Sequence, residues 1–166
     1  MLLAQRLLAW LRAFEATVCV VAFAGAAIAL IADVLGREFF GSGIFGAQRF
    51  AVWATAIAGL IGFALVTADG GHLRPRFADG WLPKAIAPII DRLSDLISAL
   101  ILIGLGVYAV DFVLGSYRLG EVGLAIRIPI WPIQIILPWM FFSSALRHLA
   151  FAAWPVLRPT PSGEGQ

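Results

Sequence analysis

The 166-residue chain is 61% hydrophobic and 13% charged, with a mean hydropathy of +0.92, whereas soluble domains are about 45–50% apolar. A soluble core of this length could not bury so many apolar side chains beneath a polar surface, so the composition excludes a water-soluble enzyme and indicates a membrane protein. Twelve basic residues nearly balance ten acidic ones, which excludes a nucleic-acid footprint. The single cysteine, Cys19, excludes an intrachain disulfide.

Four uncharged stretches predict four transmembrane helices. They cover residues 16–32, 50–68, 96–110 and 128–146. A bilayer-spanning helix needs about 20 mostly apolar residues, and the third stretch falls short of this length. Asp95 and Asp111 bound it only about 24 Å apart along a helix. The third helix can therefore span only if one of these carboxylates lies in the headgroup layer or against a protein partner.

The predicted fold is an all-α integral membrane protein with a single four-helix membrane domain over residues 1–157. A tail over residues 158–166, rich in Pro, Ser and Gly, is expected to be disordered. The helices are expected near residues 14–35, 48–68, 91–115 and 127–150. Ahead of them, residues 2–14 place apolar side chains on one broad face, which is typical of a short amphipathic segment in the membrane interface. The alternative is that this segment simply extends the first helix.

The basic residues predict the orientation of the chain. Eight Lys and Arg residues fall in the termini and in the connection between the second and third helices, whereas four fall in the other two turns. Because cytoplasmic segments carry the excess of Lys and Arg, both termini are expected in the cytoplasm. The four outward basic residues are Arg37, Arg49, Arg118 and Arg127.

This orientation suggests that charges pair at both rims of the membrane. At the outer rim, Asp33 and Asp111 end rising helices, while Arg49 and Arg127 begin descending ones. At the inner rim, the acidic side chains lie at the level of Arg147; they are Glu15, Asp91 and Asp95. Pairing would neutralise charges that are costly within a bilayer. The alternative is that each charge reaches water independently.

Pro138 lies well inside the fourth predicted helix. It has no N–H to donate to the carbonyl of Gln134, so a kink of structural origin is expected there.

In the second helix, small residues recur every fourth position at Ala54, Ala58 and Gly62, which favours close helix packing.

The chain carries no motif that points to catalysis. It has no glycine-rich phosphate loop, zinc-ligand spacing or nucleophile elbow, so neither enzyme activity nor a metal or other cofactor is expected. An autonomous carrier needs polar groups near the membrane centre, whereas these charges lie at the rims. The main alternative is the four-helix anchor subunit of a haem-containing oxidoreductase, with His72 and His148 as axial ligands.

A set of short motifs recurs in a recognisable order. Arg37 follows the first helix, and an aromatic-rich turn leads to the second. The next loop reads Gly70-Gly71-His72-Leu73, with Pro83 eleven residues past the histidine. The fourth helix opens with Ile128-Pro129-Ile130-Trp131, continues through Leu137-Pro138 and leaves at Arg147. Over residues 10–152 this pattern resembles the DctQ family, the small four-helix membrane subunit of tripartite ATP-independent periplasmic (TRAP) transporters.

The resemblance implies a non-catalytic subunit of a secondary transporter in the bacterial inner membrane. Such a subunit would scaffold a large membrane transport subunit and help to dock a periplasmic substrate-binding protein, in a system that takes up an organic acid with sodium. The lipid bilayer is the remaining expected partner, and nucleic acid is not one.

The chain departs from the usual family pattern at two places. Acidic residues are common in the family where this chain has Gln48 and Arg49, and again where it has Arg76.

Roles at a partner interface or in the fold are expected for Asp33, Arg37, Gln48, Arg49, His72, Asp111, Arg127, Pro138 and Arg147.

Overall fold

The computed structural model describes residues 2–70, 87–123 and 127–159. The helices are α1 (Leu2–Phe40), α2 (Ala47–Ala68), α3 (Ala87–Leu119), α4 (Trp131–Gln134) and α5 (Ile136–Ala153), and a 3₁₀ turn follows at Pro155–Leu157. Four helical segments are long and apolar enough to cross a membrane: α1, α2, α3, and α4 together with α5. The predicted all-α fold with four transmembrane helices is therefore confirmed.

The first helix is continuous from Leu2 to Phe40. Residues 2–14 are thus an extension of the first span, the alternative to a separate amphipathic segment. No Gly or Pro interrupts the chain before Gly25, and 11 of the 23 residues from Leu2 to Ala24 are Ala or Leu, which favour helix. At 39 residues, α1 is about 58 Å long, nearly twice the thickness of the hydrocarbon core.

α1 and α2 form an antiparallel pair with a seam of small side chains. Ala26, Ala51 and Ala54 make one buried cluster, and Ala58 is also buried. Most of the α1 positions that are not exposed recur at alternating spacings of four and three residues, the 3.5-residue period of a left-handed helix pair. These positions are 4, 8, 11, 15, 16, 18, 19, 22, 25, 26, 29, 32, 33 and 36. Gly41 and Gly46, both with positive φ, form the turn between the two helices.

α3 and the α4–α5 segment form the second antiparallel pair. Gly106 of α3 lies directly against the ring of Phe142 of α5. In the connection between α3 and α4, Val122 and Pro129 make an antiparallel bridge, and Tyr117 stacks edge-on against Trp131 with ring centroids 5.5 Å apart. The fourth span is interrupted at Ile135, next to the carbonyl that Pro138 leaves without a donor.

The two pairs join through α2 and α5, so the neighbour order is α1, α2, α5, α3. In the described residues α1 and α3 are not neighbours, which leaves the arrangement open on that side. The end that carries Leu2 and Ala153 is called the terminal end below. The end that carries the α1–α2 and α3–α4 turns is called the loop end.

Candidate functional site

A buried ion pair links the first and last spans near the terminal end. The Nη2 atom of Arg147 donates to Oε2 of Glu15 at 2.5 Å, and Nη1 lies 3.4 Å from Oε1. The two residues are 1% and 0% exposed. Of the three carboxylates predicted at the level of Arg147, Glu15 pairs with it, whereas Asp91 and Asp95 pair with Arg158 instead.

Two hydroxyl groups extend this polar centre to α2. Thr67 donates to the carbonyl oxygen of Phe63 at 3.1 Å and lies 3.4 Å from the Oγ of Ser144, and both hydroxyl residues are buried. α1 and α5 otherwise touch little. The ion pair and the hydroxyl contact therefore fix how the first helix pair meets the second.

A second charged cluster joins α3, α5 and the 3₁₀ turn at the terminal end. Asp95 lies 3.0 Å from Nδ1 of His148 and accepts from Nε of Arg158 at 2.9 Å. Arg158 also lies 3.0 Å from Asp91. The start of the predicted tail therefore moves beyond Arg158, because two carboxylates hold its guanidinium. Residues 160–166 lie outside the described part of the chain.

The sequence places Asp91 and Asp95 at this rim but does not predict Arg158 as their partner, although a signal exists there. Arg158 comes directly after the apolar turn Pro155–Leu157, which is short enough to fold the chain back onto α3. At the surface nearby, Arg12 and Asp69 form an exposed pair at 2.8 Å.

At the loop end, Asp33 organises the turn between α1 and α2. Its carboxylate pairs with Arg37 one turn later, accepts from the backbone N–H of Ile44 at 2.8 Å and lies 3.5 Å from Nε2 of Gln48. Asp33 is 4% exposed. The absence of a Cβ at Gly43 makes this approach possible, because a Cβ there would collide with the Asp33 and Arg37 side chains.

The predicted outer pairing is wrong for the two carboxylates concerned. Asp33 pairs with Arg37 instead of Arg49, since Arg37 stands one turn away on the same helix. Within the described residues, Asp111 and Arg127 take part in no ion pair, and both are exposed. Arg127 has a positive φ of 50°, a backbone conformation uncommon for a residue with a side chain.

An open cavity of about 540 Å³ lies over this turn. Its lining combines basic and apolar groups, including Arg37, Gln48, Arg49, Phe45 and Val52. The loop end thus presents two guanidinium groups beside exposed aromatic rings.

Replacement of Asp33 by alanine is expected to lower the free energy of unfolding by about 2 kcal/mol, because the Ile44 N–H and the Arg37 guanidinium lose a charged acceptor. Thermal unfolding of the purified chain in detergent measures this loss. Glu38→Ala, which removes an exposed carboxylate from the same helix, is the matched control and should stay within about 0.5 kcal/mol of the parent. Equal losses in both variants would contradict the role of Asp33 in the turn.

Of the remaining predicted residues, Pro138 is placed by the structure and His72 is not. Pro138 is buried in α5 just after the interruption of the fourth span. His72 lies outside the described residues, as does Pro83, so the proposed histidine pair is not placed. In the described ranges, no group of three or more His, Cys, Asp or Glu side chains could hold a metal ion.

The chain matches a known protein-family model over most of its length. The family model described as "Tripartite ATP-independent periplasmic transporters, DctQ component" matches residues 26–155. No curated protein and no solved structure matches the chain. The matched range runs from the middle of α1 to the 3₁₀ turn after α5, so it includes the loop-end turns and Arg147 but not Glu15.

Proposed function

Since the chain belongs to the DctQ component family of the TRAP transporters, we propose that it braces the large transport subunit in the inner membrane and helps to dock the periplasmic binding protein. Proteins of this family are non-catalytic inner-membrane components. They work with a large membrane subunit and a periplasmic binding protein. We further propose that the system takes up an organic acid and is driven by sodium.

The bracing role is supported by the way in which the buried charges pair within this chain. In the described residues, the buried ionisable side chains are Glu15, Asp33 and Arg147, and each has its ion-pair partner within this chain. A translocation site would instead hold polar groups ready for solute or ion. The Glu15–Arg147 pair locks α1 to α5, and Asp33 holds the turn between α1 and α2. A rigid support for a moving partner requires such fixed contacts.

The docking role is supported by the basic groups at the loop end. Arg37, Arg49, Arg118 and Arg127 are exposed there. If the termini are cytoplasmic, as the distribution of Lys and Arg favours, this end faces the periplasm. Four exposed guanidinium groups would attract an acidic surface on the binding protein and speed its encounter with the membrane subunits.

The test is to isolate the tagged chain from its native host in mild detergent and to record the masses and the visible spectrum of the preparation. We expect a colourless, stoichiometric complex with a much larger polytopic protein. Reconstituted in vesicles with its binding protein, the complex should take up an organic acid only under a sodium gradient. A Soret band lost on replacement of His72 or His148 would show a haem anchor instead, and a solitary chain would refute the bracing role.

A further inference from the structure

One face of α3 points away from every other helix. The buried face of α3 carries Leu102, Gly106, Ala109, Val113 and Ser116. On the opposite side, the exposed residues recur at spacings of 4, 3, 4, 3 and 4; they are Leu100, Gly104, Val107, Asp111, Leu114 and Arg118. This second set, called the outer face of α3 below, has the same 3.5-residue period as the seam inside the molecule.

The aromatic contact between Tyr117 and Trp131 indicates where the membrane ends along α3. Aromatic side chains of this kind concentrate at the membrane interface. From Tyr117 to the charged cluster at Asp95 the helix rises about 33 Å, close to the thickness of the hydrocarbon core. Asp111 lies six residues inside Tyr117, or about 9 Å deeper. With Tyr117 and Asp95 taken as the two boundaries, its carboxylate lies within the apolar layer.

Apart from Glu38 in the last turn of α1, the other carboxylates on the long helices differ from Asp111. Glu15, Asp33 and Asp95 are each neutralised by a basic side chain of this chain. Asp111 is exposed and has no ion pair in the part of the chain that the structure describes. Arg118, on the same face, stands two turns nearer the loop end. A short carboxylate facing lipid is costly, so such residues almost always face protein.

Two glycines on this side of α3 support a protein neighbour. A Cβ added at Gly104 or Gly115 would meet nothing within 4 Å, so neither glycine is needed for packing inside the chain. Gly106, by contrast, makes room for Phe142. A helix-interior glycine lowers helix stability relative to alanine, whereas small residues let a second transmembrane helix approach closely.

We propose that the outer face of α3 binds a transmembrane helix of the large transport subunit, and that Asp111 pairs there with a Lys or Arg side chain of that helix. The proposal rests on the proposed function, because it assumes the large subunit as partner. The carboxylate supplies charge complementarity, and the two glycines supply the room for close approach.

The first test is photo-crosslinking within the complex in native membranes. A benzoyl-phenylalanine placed at Val107 is expected to crosslink to the large subunit. Ile31 is the matched control, since it is 59% exposed against 58% for Val107 but lies on α1. A complex that co-purifies without a crosslink from Val107, or with equal crosslinking from Ile31, would overturn the proposal. Failure of the unmodified chain to co-purify with a large subunit would instead refute the proposed function.

The second test removes the carboxylate. Asp111→Leu is expected to lower the recovered large subunit about tenfold, because the buried basic partner loses its counter-charge. Glu38→Leu, which removes an exposed carboxylate from α1, should lower it less than twofold. Thermal unfolding of the isolated Asp111→Leu chain should match the parent, which separates lost assembly from lost folding. Unchanged recovery would mean that Asp111 reaches water or lipid headgroups, and the proposal would fail.

Once the crosslink identifies the facing helix, a charge exchange completes the test. Asp111→Arg combined with an acidic replacement of the facing basic residue should restore most of the recovery lost in either single variant. No restoration would show that the two residues do not pair.

Discussion

Replacement of Arg147 by methionine is expected to lower the free energy of unfolding of the chain by about 3–5 kcal/mol, the usual effect of removing one partner of a buried ion pair. The methionine fills much of the arginine volume, so the lost stability comes chiefly from leaving the Glu15 carboxylate unpaired. That carboxylate is fully buried and would keep no counter-charge. The neighbouring contact between Thr67 and Ser144 should weaken with it.

A double-mutant cycle in detergent checks this expectation. The combined Glu15→Leu and Arg147→Met variant should recover most of the lost stability, because no charge is then left unpaired. Asp69→Asn is the surface control; its exposed pair with Arg12 should contribute less than about 1 kcal/mol. Additive losses in the cycle would show that the two buried groups act independently.

Replacement of Gly106 by leucine should have the next largest effect, a loss of about 3 kcal/mol from overpacking. A Cβ at this position would lie 2.8 Å from the Phe142 ring, so either the ring or the two helices would have to shift. Thermal unfolding and the near-UV circular dichroism of the aromatic residues would both report the change.

The control for Gly106 lies two residues earlier on the same helix. In the isolated chain, Gly104→Leu has open space around it and should be neutral or stabilising by up to about 1 kcal/mol, because leucine is the better helix former. If both substitutions destabilised to the same extent, glycine flexibility rather than the contact with Phe142 would be responsible.

The number of spans and the inner pairing were predictable because few alternatives exist in a bilayer. Long apolar runs must form helices there, and a carboxylate within reach of few cations has few possible partners. Depth brings Glu15 to the level of Arg147 but does not separate it from Asp91 and Asp95, which pair with Arg158 in the structure. The family match over residues 26–155 agrees with the order of short motifs in the loops and the fourth helix.

Helix ends and outer pairings were not predictable in the same way. Cutting the chain at its charges starts α1 and α3 too late, because Arg12, Asp91 and Asp95 find partners on other segments and the helices begin before them. At the loop end, Asp33 and Arg49 are expected at the same depth in the membrane, so depth predicts that they pair. Arg37 pairs with it instead because an i,i+4 partner needs no tertiary arrangement.

The separation of Glu15 and Arg147 by 132 residues has a consequence for biosynthesis. At about 5–20 residues per second, the carboxylate is made roughly 7–26 s before its partner. During that interval the first helix pair can assemble from local contacts, but its acidic group stays uncompensated. Completion of the last span neutralises this carboxylate, whereas a truncated or misinserted chain keeps an uncompensated charge on its first span.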